Sequence, residues 1–84
     1  KAALVLWKAL SLAQELWNKG ERNADRLRRE MTALIQKEPR AKIDYVSVAD
    51  PDSLEELFQI DRTALISMAV RIGKTRLIDN ITLG

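Results

Sequence analysis

A short turn between two apolar runs, near the end of the chain, constrains the fold most. Residues 64–70 are almost entirely apolar, Gly73 follows, and residues 75–83 then alternate apolar with polar side chains. Two β-forming runs separated by a short glycine-containing segment are typical of a β-hairpin. The sequence therefore predicts antiparallel strands over residues 63–72 and 75–83, joined by a turn at Gly73 and Lys74.

The first of these two strands is apolar on both faces, which is typical of a central strand. Every second residue gives a strongly apolar face, which we expect to lie against helices: Ala64, Ile66, Met68, Val70 and Ile72. The opposite face is smaller and more mixed: Leu65, Ser67, Ala69 and Arg71. We expect this mixed face to be the surface on which the chain meets something else.

Two helices are predicted ahead of these strands. Over residues 2–19 the apolar side chains recur at helical spacing, and Gly20 fits the position just past a helix end. Residues 24–37 form the second helix, with Asn23 as its N-cap. Pro39 ends this helix, because the residue before a proline avoids the helical region.

The apolar stripe of the first helix is wider than two neighbours in a small domain need. We interpret it as a central core helix, or as a helix that turns Leu4 or Trp7 toward a missing domain. Lys1 leads straight into the helical pattern, with no methionine and no capping residue ahead of it. The sequence therefore predicts a piece cut from a longer chain.

The remaining strand is predicted over residues 42–50, which are rich in β-forming side chains. Asp50 is a candidate cap, Pro51 fits a first helical position, and we expect one short helical turn over residues 53–58. The resulting fold class is α+β, in the order α-α-β-β-β. Two helices pack on one face of a three-stranded antiparallel sheet.

Composition excludes several classes of function. The chain has no cysteine and no histidine, which removes the commonest metal ligands and the commonest general base. Its net charge of +2, from 14 basic and 12 acidic residues, is nearly balanced, whereas nucleic-acid modules carry a clustered excess. No segment is apolar over the length that a membrane span needs, and no secretory signal is present, so we expect a cytoplasmic protein.

The Gly-Lys-Thr triplet at residues 73–75 invites comparison with a phosphate-binding loop. That motif needs a glycine five residues before Gly73, where this chain has Met68, and it must open a helix. The triplet opens a strand here, so we reject this interpretation. Arg76 and Asp79 lie three residues apart, on opposite faces of a strand, and we expect Arg76 to pair with another nearby carboxylate.

A basic segment on the second helix is the other candidate site. It contains Arg22, Arg26, Arg28 and Arg29, interleaved with acidic residues and without an aromatic side chain that could stack on a base. We favour a solvated helix face, with phosphate binding as the alternative.

Four segments together resemble one enzyme family, pantothenate synthetase (pantoate–β-alanine ligase). They are KAALVLWKAL at residues 1–10, GER at residues 20–22, IDYV at residues 43–46 with VAD at residues 48–50, and GKTRLIDN at residues 73–80. The last segment resembles the closing signature of the family and is the most specific. The resemblance covers the whole chain, as the carboxy-terminal domain only.

The resemblance implies that residues 1–84 are the lid domain of an enzyme that activates pantoate with ATP and magnesium. The amine of β-alanine then attacks the pantoyl adenylate, giving pantothenate and AMP. The family's His-x-Gly-His motif and Lys-Met-Ser-Lys-Ser-like segment are absent here. The resemblance therefore implies no catalytic residue, bound cofactor or metal in this fragment, which we expect to be inactive alone. It also implies a Rossmann-type amino-terminal domain as partner, and a homodimer at full length.

We expect the cleft to be bordered either by the mixed face, with Ser67 and Arg71, or by the hairpin around Lys74 and Arg76. None of them is assigned a catalytic role. Two alternatives stay open: a stand-alone module that binds nucleic acid through its basic helix, and a fragment that associates with itself through an uncovered sheet face.

Overall fold

The computed structural model describes residues 4–84. Its elements are α1 (Leu4–Asn18), α2 (Ala24–Gln36), β1 (Ala41–Ala49), β2 (Ala64–Ile72) and β3 (Thr75–Leu83). The strands form one antiparallel sheet in the order β1-β2-β3. Helix α2 packs on β1, and α1 packs on β3 and β2. The predicted α+β order and the central position of β2 are confirmed; the part of the first helix predicted before Leu4 lies outside the described residues.

The signals predicted at the end of α1 and at the start of α2 are confirmed. After α1, Gly20 takes φ +101°, and the Glu21 N–H donates to the Leu16 carbonyl at 2.9 Å. This bond satisfies a carbonyl that the helix end leaves free, and it needs a left-handed residue just past the helix. Before α2, Asn23 Oδ1 accepts the N–H of Arg26 at 3.1 Å. Such a cap contributes about 1 kcal/mol to helix stability.

The core lies between the two helices and the sheet face beneath them. The inward residues of β2 are buried as predicted, except that Ile72 at the strand end is half-buried. The largest fully buried side chains come from α2 and all three strands: Leu27, Met31, Ile35, Val48, Ile66, Met68, Val70 and Leu83. Burying each aliphatic side chain of this size contributes about 1.5–3 kcal/mol. The stability of the domain is therefore concentrated on this side of the sheet.

The predicted helical turn over residues 53–58 is wrong. Asp50 does act as a cap, since its Oδ1 accepts the N–H groups of Asp52 at 2.8 Å and Ser53 at 2.9 Å. Leu54 then donates its N–H to the Asp50 carbonyl at 2.8 Å. However, Leu54 takes φ +64°, in the left-handed region, and a helix cannot continue through such a residue. The turn therefore ends where the helix was expected to begin.

The segment after this turn runs back along the edge of β1. Glu56 forms a β-bridge with Ala49, and the Leu57 N–H donates to the Val48 carbonyl at 2.9 Å. The Asp50 N–H donates to the Glu55 carbonyl, also at 2.9 Å. These bonds satisfy backbone groups on the edge of β1. The same edge gives this segment the backbone hydrogen-bond partners that a helix would have provided within itself.

The hairpin between β2 and β3 is as tight as predicted. Ile72 and Thr75 are the last paired residues, so only Gly73 and Lys74 form the turn. Gly73 takes φ +62° and Lys74 does not take a positive φ. Glycine with positive φ at the first of two turn positions is the pattern of a type II′ turn, which suits the twist of paired strands.

Candidate functional site on the open face of the sheet

The face of the sheet that the two helices leave uncovered is called here the open face. The strand register arranges its side chains in rows that cross β1, β2 and β3. From the hairpin end, the rows are Lys42, Arg71 and Arg76; Tyr45, Ala69 and Ile78; Ser47, Ser67 and Asn80; and Ala49, Leu65 and Thr82. The open face is therefore cationic at one end and uncharged along the other three rows.

The cationic end consists of Lys42, Arg71 and Arg76, called here the cation row. Arg71 is central, because it is paired with Lys42 on one side and with Arg76 on the other. Directly opposed side chains lie about 4.5–5.5 Å apart at Cβ, and like charges at that separation destabilise a sheet. All three side chains are exposed. The row is thus an unfavourable arrangement within the domain.

Lys42 was missed by the sequence analysis for a physical reason. Strict alternation along β1 would turn Lys42 inward with Val46 and Val48. A register shift between Ile43 and Tyr45 inserts one extra residue, which reverses the alternation ahead of it. The residue types of this strand do not predict the position of the shift, which becomes visible only in the pairing of β1 with β2.

The extra residue is Asp44, which supplies the carboxylate beside the cation row. Its Oδ2 accepts a hydrogen bond from Nε of Arg76 at 2.8 Å and lies 3.8 Å from Nε of Arg71. The prediction that Arg76 pairs with a nearby carboxylate is confirmed. Asp79 points to the helix side of β3, where its Oδ1 accepts the N–H of Asn80 at 2.8 Å.

Of the four residues expected to border a cleft, three are brought together. Arg71 and Arg76 are direct partners, and Lys74 is exposed at the hairpin tip beside them. Ser67 lies two rows away, between Ser47 and Asn80. The hairpin therefore gathers positive charge at one end, with Ser67 in the uncharged middle of the open face.

A groove of about 610 Å³ lies beside the far rows of the open face, where Leu54 stands 65% exposed. It is lined by Arg28, Tyr45, Val46, Ser47, Ala49, Leu54, Glu56, Leu65 and Ser67. Most of these side chains are apolar or small. This end of the face is therefore less polar than the hairpin end.

Arg28 fastens the wall of that groove. Its guanidinium donates to Glu56 Oε1 at 3.0 Å, to the Val48 carbonyl at 2.9 Å and to the Leu57 carbonyl at 2.5 Å. It also donates to Asp25 Oδ1 at 2.6 Å. The prediction that Arg28 lies on a solvated helix face is wrong, since the Arg28 side chain is only 19% exposed. Its partners lie up to 29 residues away, at a distance that spacing within a helix cannot reveal.

Two more arginines of the basic segment bind within the domain. Arg22 lies over the Trp17 ring, with Cζ 3.4 Å from the centroid, and donates to the Trp17 carbonyl at 2.9 Å. Arg26 donates to Glu21 Oε1 at 2.9 Å. The backbone N–H of Asn23 and the charge of Arg26 lower the pKa of the Glu21 carboxyl. Because these arginines bind groups of the domain itself, the basic segment has a role in the fold, and this favours the fold over a nucleic-acid site.

Helix α1 is a core helix, as the first interpretation of its wide stripe predicts, and it also carries exposed apolar side chains. Its inner residues join the core: Leu6, Ala9, Leu10 and Ala13. On the outer side, Trp7 is 63% exposed and Leu4 is 46% exposed. Trp7 borders a hollow of about 260 Å³ with Asp79 and Ile81, between α1 and β3. This side of α1 offers a second apolar surface.

Residues 4–84 contain neither a metal-binding cluster of side chains nor a membrane-spanning helix. No three acidic side chains converge closely enough there to hold a metal ion. No helix within that range has both the length and the apolar character needed to cross a membrane. The open face therefore offers charge and hydrogen bonds, without the donor set of a metal centre.

The fold and the open face define a class of domain. It is a small α+β unit whose helices cover one sheet face, while the other face carries charged and small side chains and is not covered by the helices. The chain belongs to the pantoate–β-alanine ligase family, since the family model described as "Pantoate-beta-alanine ligase" matches residues 1–82.

Individual relatives agree with this assignment. The pantothenate synthetase of Roseiflexus sp. (strain RS-1) is 57% identical over 83 residues, which cover 99% of this chain and 30% of that protein. The pantothenate synthetase of Clostridioides difficile (strain 630) is 49% identical over 82 residues, covering 98% of this chain and 29% of that protein. The chain thus spans about 30% of the length of the curated relatives it matches.

The fold has a counterpart among solved structures. The crystal structure of pantothenate synthetase from Thermus thermophilus superposes with a TM-score of 0.83 at 27% sequence identity. The match covers 92% of this chain and 28% of that chain. The resemblance seen in the sequence is confirmed.

Proposed function

We propose that residues 1–84 are the carboxy-terminal lid domain of an ATP-dependent, AMP-forming ligase that condenses pantoate with β-alanine. The observation that carries this proposal is the open face, which is uncovered and cationic at the hairpin end. Family membership and the 30% share of the relatives' length support it. In this proposal the core keeps the domain folded, and the free face closes against the rest of the enzyme.

The physical task of such a lid is to exclude water. A pantoyl adenylate is a mixed anhydride, and water competes with the amine of β-alanine for its acyl carbon. Closure over the adenylate removes that competitor and strengthens the electrostatic interactions inside the site. In this proposal the open face covers the cleft, because the helices occupy the other face of the sheet.

The residues at the hairpin end have electrostatic roles in this proposal. Arg71, Lys74 and Arg76 draw the open face toward anionic substrates, since ATP, pantoate and the adenylate all carry negative charge. Ser67 borders the cleft in the uncharged middle of the face. Neither a nucleophile nor a general base is assigned to the lid, which agrees with the absence of histidine and cysteine from the sequence.

The remaining parts of the machinery belong to the rest of the enzyme. A Rossmann-type amino-terminal domain binds ATP and supplies the catalytic groups, and the magnesium ion is held there with the nucleotide. We assign the full-length enzyme to the cytoplasm as a homodimer. The isolated lid is assigned no activity and no bound cofactor.

The test uses a bulky substitution on the open face of the full-length ligase. Ser67→Trp obstructs closure without touching the core, so AMP is released without an equal amount of pantothenate. We expect the ratio of AMP to pantothenate to rise from one to several-fold above one. Arg29→Trp, on the exposed side of α2, is the matched control and keeps the ratio at one. An unchanged ratio and rate for Ser67→Trp, with folding intact, would contradict the lid role.

A second assay addresses the fragment itself. The 84-residue chain, supplied with ATP, magnesium, pantoate and β-alanine, is expected to form no pantothenate. The same sample distinguishes the alternative of a self-associating module, which the exposed Trp7 and Ile78 favour. Sedimentation of a monomer would remove that alternative, whereas a stable dimer would support it.

A further inference from the structure

The cation row is a local conflict that the domain does not resolve by itself. Lys42, Arg71 and Arg76 are directly opposed across three adjacent strands. Asp44 is the only carboxylate that pairs with the row in residues 4–84, and its stronger bond goes to Arg76. A sheet keeps three opposed like charges at a cost, because each opposed pair is destabilising. An anion bound across the row would remove that cost.

We infer that the cation row binds the polyphosphate group of a nucleotide or of pyrophosphate. This inference rests on the proposed function, which brings the open face to a cleft where ATP is used and pyrophosphate is released. It assigns to the lid a ligand contact in addition to the exclusion of water.

The chemistry of the row fits phosphate oxygens. Arg71 and Arg76 each present a planar fork of donors, which matches the oxygens of a phosphate group and permits paired hydrogen bonds. Lys42 adds a compact charge at the end of the row. Because neighbouring strands lie about 4.8 Å apart, the row extends over about 10 Å. That length suits consecutive phosphates better than a single carboxylate.

The charge of the row also favours a multiply charged ligand. Lys42, Arg71 and Arg76 carry three positive charges, and Asp44 neutralises one of them. Lys74 is exposed at the adjoining hairpin tip and adds a further positive charge. A polyphosphate carries several negative charges on adjoining groups, so one ligand can meet all of these cations at once.

Asp44 acts in this arrangement as an internal counter-ion. It reaches the row because the bulge in β1 projects it there, and bulges commonly redirect side chains beside functional sites. Its bond with Arg76 is exposed to solvent, and an exposed ion pair is weak. A phosphate group can therefore replace the Asp44 carboxylate at modest cost.

The test measures pyrophosphate binding by the full-length ligase that contains this domain. The test variant is Lys42→Gln with Arg71→Gln, which leaves the Asp44–Arg76 pair in place. Titration calorimetry with inorganic pyrophosphate is expected to give binding about 10–100-fold weaker than that of the parent enzyme. The matched control, Arg29→Gln with Lys37→Gln, removes two exposed charges outside the open face and is expected to stay within about twofold.

Two further probes, ATP and AMP, distinguish a polyphosphate from a single phosphate group. With ATP as the probe, the test variant loses affinity by a similar factor, whereas with AMP it stays within about twofold of the parent. Asp44→Asn, which removes the internal counter-ion, is expected to bind pyrophosphate several-fold more tightly. Equal losses for AMP and pyrophosphate would overturn the polyphosphate assignment, because they would place the adenylate's single phosphate at the row.

The inference and the lid proposal fail in different ways. Unchanged pyrophosphate and ATP affinities in a folded test variant overturn the inference, even if Ser67→Trp still releases AMP without pantothenate. If the test variant binds pyrophosphate normally and yet releases AMP without pantothenate, the row contacts the other domain instead, and the inference is again overturned. If the test variant binds pyrophosphate more weakly while Ser67→Trp leaves the ratio of AMP to pantothenate at one, the inference is supported and the lid proposal is contradicted.

Discussion

The two faces of β2 share one backbone and differ in almost everything else. On the helix side, Ala64, Ile66, Met68 and Val70 are fully buried. On the open face, Leu65 and Ser67 are half-buried, Ala69 is covered by its neighbours, and Arg71 is exposed. The first face has one role, which is to exclude water and stabilise the domain. The second face keeps opposed like charges, which lower the stability of the domain. We therefore expect function to depend on this face.

The largest expected effect comes from opening a cavity on the helix side. Met68→Ala is expected to lower the free energy of unfolding by about 2–5 kcal/mol, because a fully buried side chain is lost. Ser67→Ala, at the next position and on the open face, is expected to change it by less than about 0.5 kcal/mol. Urea denaturation of both variants checks this contrast. Similar losses for the two would mean that the faces do not differ in stability as described.

A second large effect is expected at the edge of β1, where the two faces meet. Arg28→Met removes four hydrogen bonds while keeping an apolar stem. It should cost about 2–3 kcal/mol, because one guanidinium makes all four bonds and two of its acceptors are carboxylates. Arg29→Met, the neighbouring exposed arginine, should change stability by less than about 0.5 kcal/mol. Hydrogen exchange would show faster exchange of the Leu57 amide only in Arg28→Met. Equal stabilities of the Arg28→Met and Arg29→Met variants would show that Arg28 does not hold the segment around Leu57 against β1.

A smaller effect of opposite sign is expected in the cation row. Arg71→Gln removes the central charge, which is opposed by Lys42 and Arg76 and lies 3.8 Å from Asp44. We expect a gain in stability of about 0.2–1 kcal/mol at low salt, since two like-charge pairs are lost. The gain should shrink in about 1 M salt because of screening. A loss of stability at low salt would instead make the row a structural feature.

The helix side could be predicted from the sequence because periodicity reports burial. The spacing of apolar residues in β2 predicted which of its side chains face inward. Asn23 and Gly20 indicated helix ends, because the hydrogen bonds at these positions are local. Local chemistry and burial act at fixed spacing along the chain, so a sequence carries them directly.

The open face could be predicted only in part, because its decisive contacts are long-range. The hairpin placed Arg71, Lys74 and Arg76 together, since only the Gly73–Lys74 turn separates their strands. Lys42 depends on a bulge in another strand, and the partners of Arg28 depend on a segment that no periodicity describes. Neither the position of a bulge nor the path of a loop is written in the spacing of residue types.

The smallest expected effect is a dependence on pH that arises in the connections between elements. Hydrogen bonds from the Arg40 side chain and backbone lower the pKa of Glu38, and the backbone N–H groups of Ser53 and Asp52 lower that of Asp50. The pKa of each carboxyl is thus lower in the folded domain than in the unfolded chain. The stabilisation is therefore complete above the unfolded pKa and is lost as the pH falls through the folded value.

Stability should accordingly decline once the pH falls below about 4.5, the ordinary pKa of a glutamate. Glu38→Gln should reduce the slope of that decline, because it removes one of the carboxyls whose pKa is lowered. Arg71→Gln should leave the slope unchanged, since Arg71 is not among the groups that lower the pKa of Glu38 or Asp50. Urea denaturation at pH 7, 4.5 and 3 would measure both slopes. An equal slope for Glu38→Gln and the parent would show that this connection does not contribute, whereas a changed slope for Arg71→Gln would tie the open face to acid stability and weaken the division between the faces.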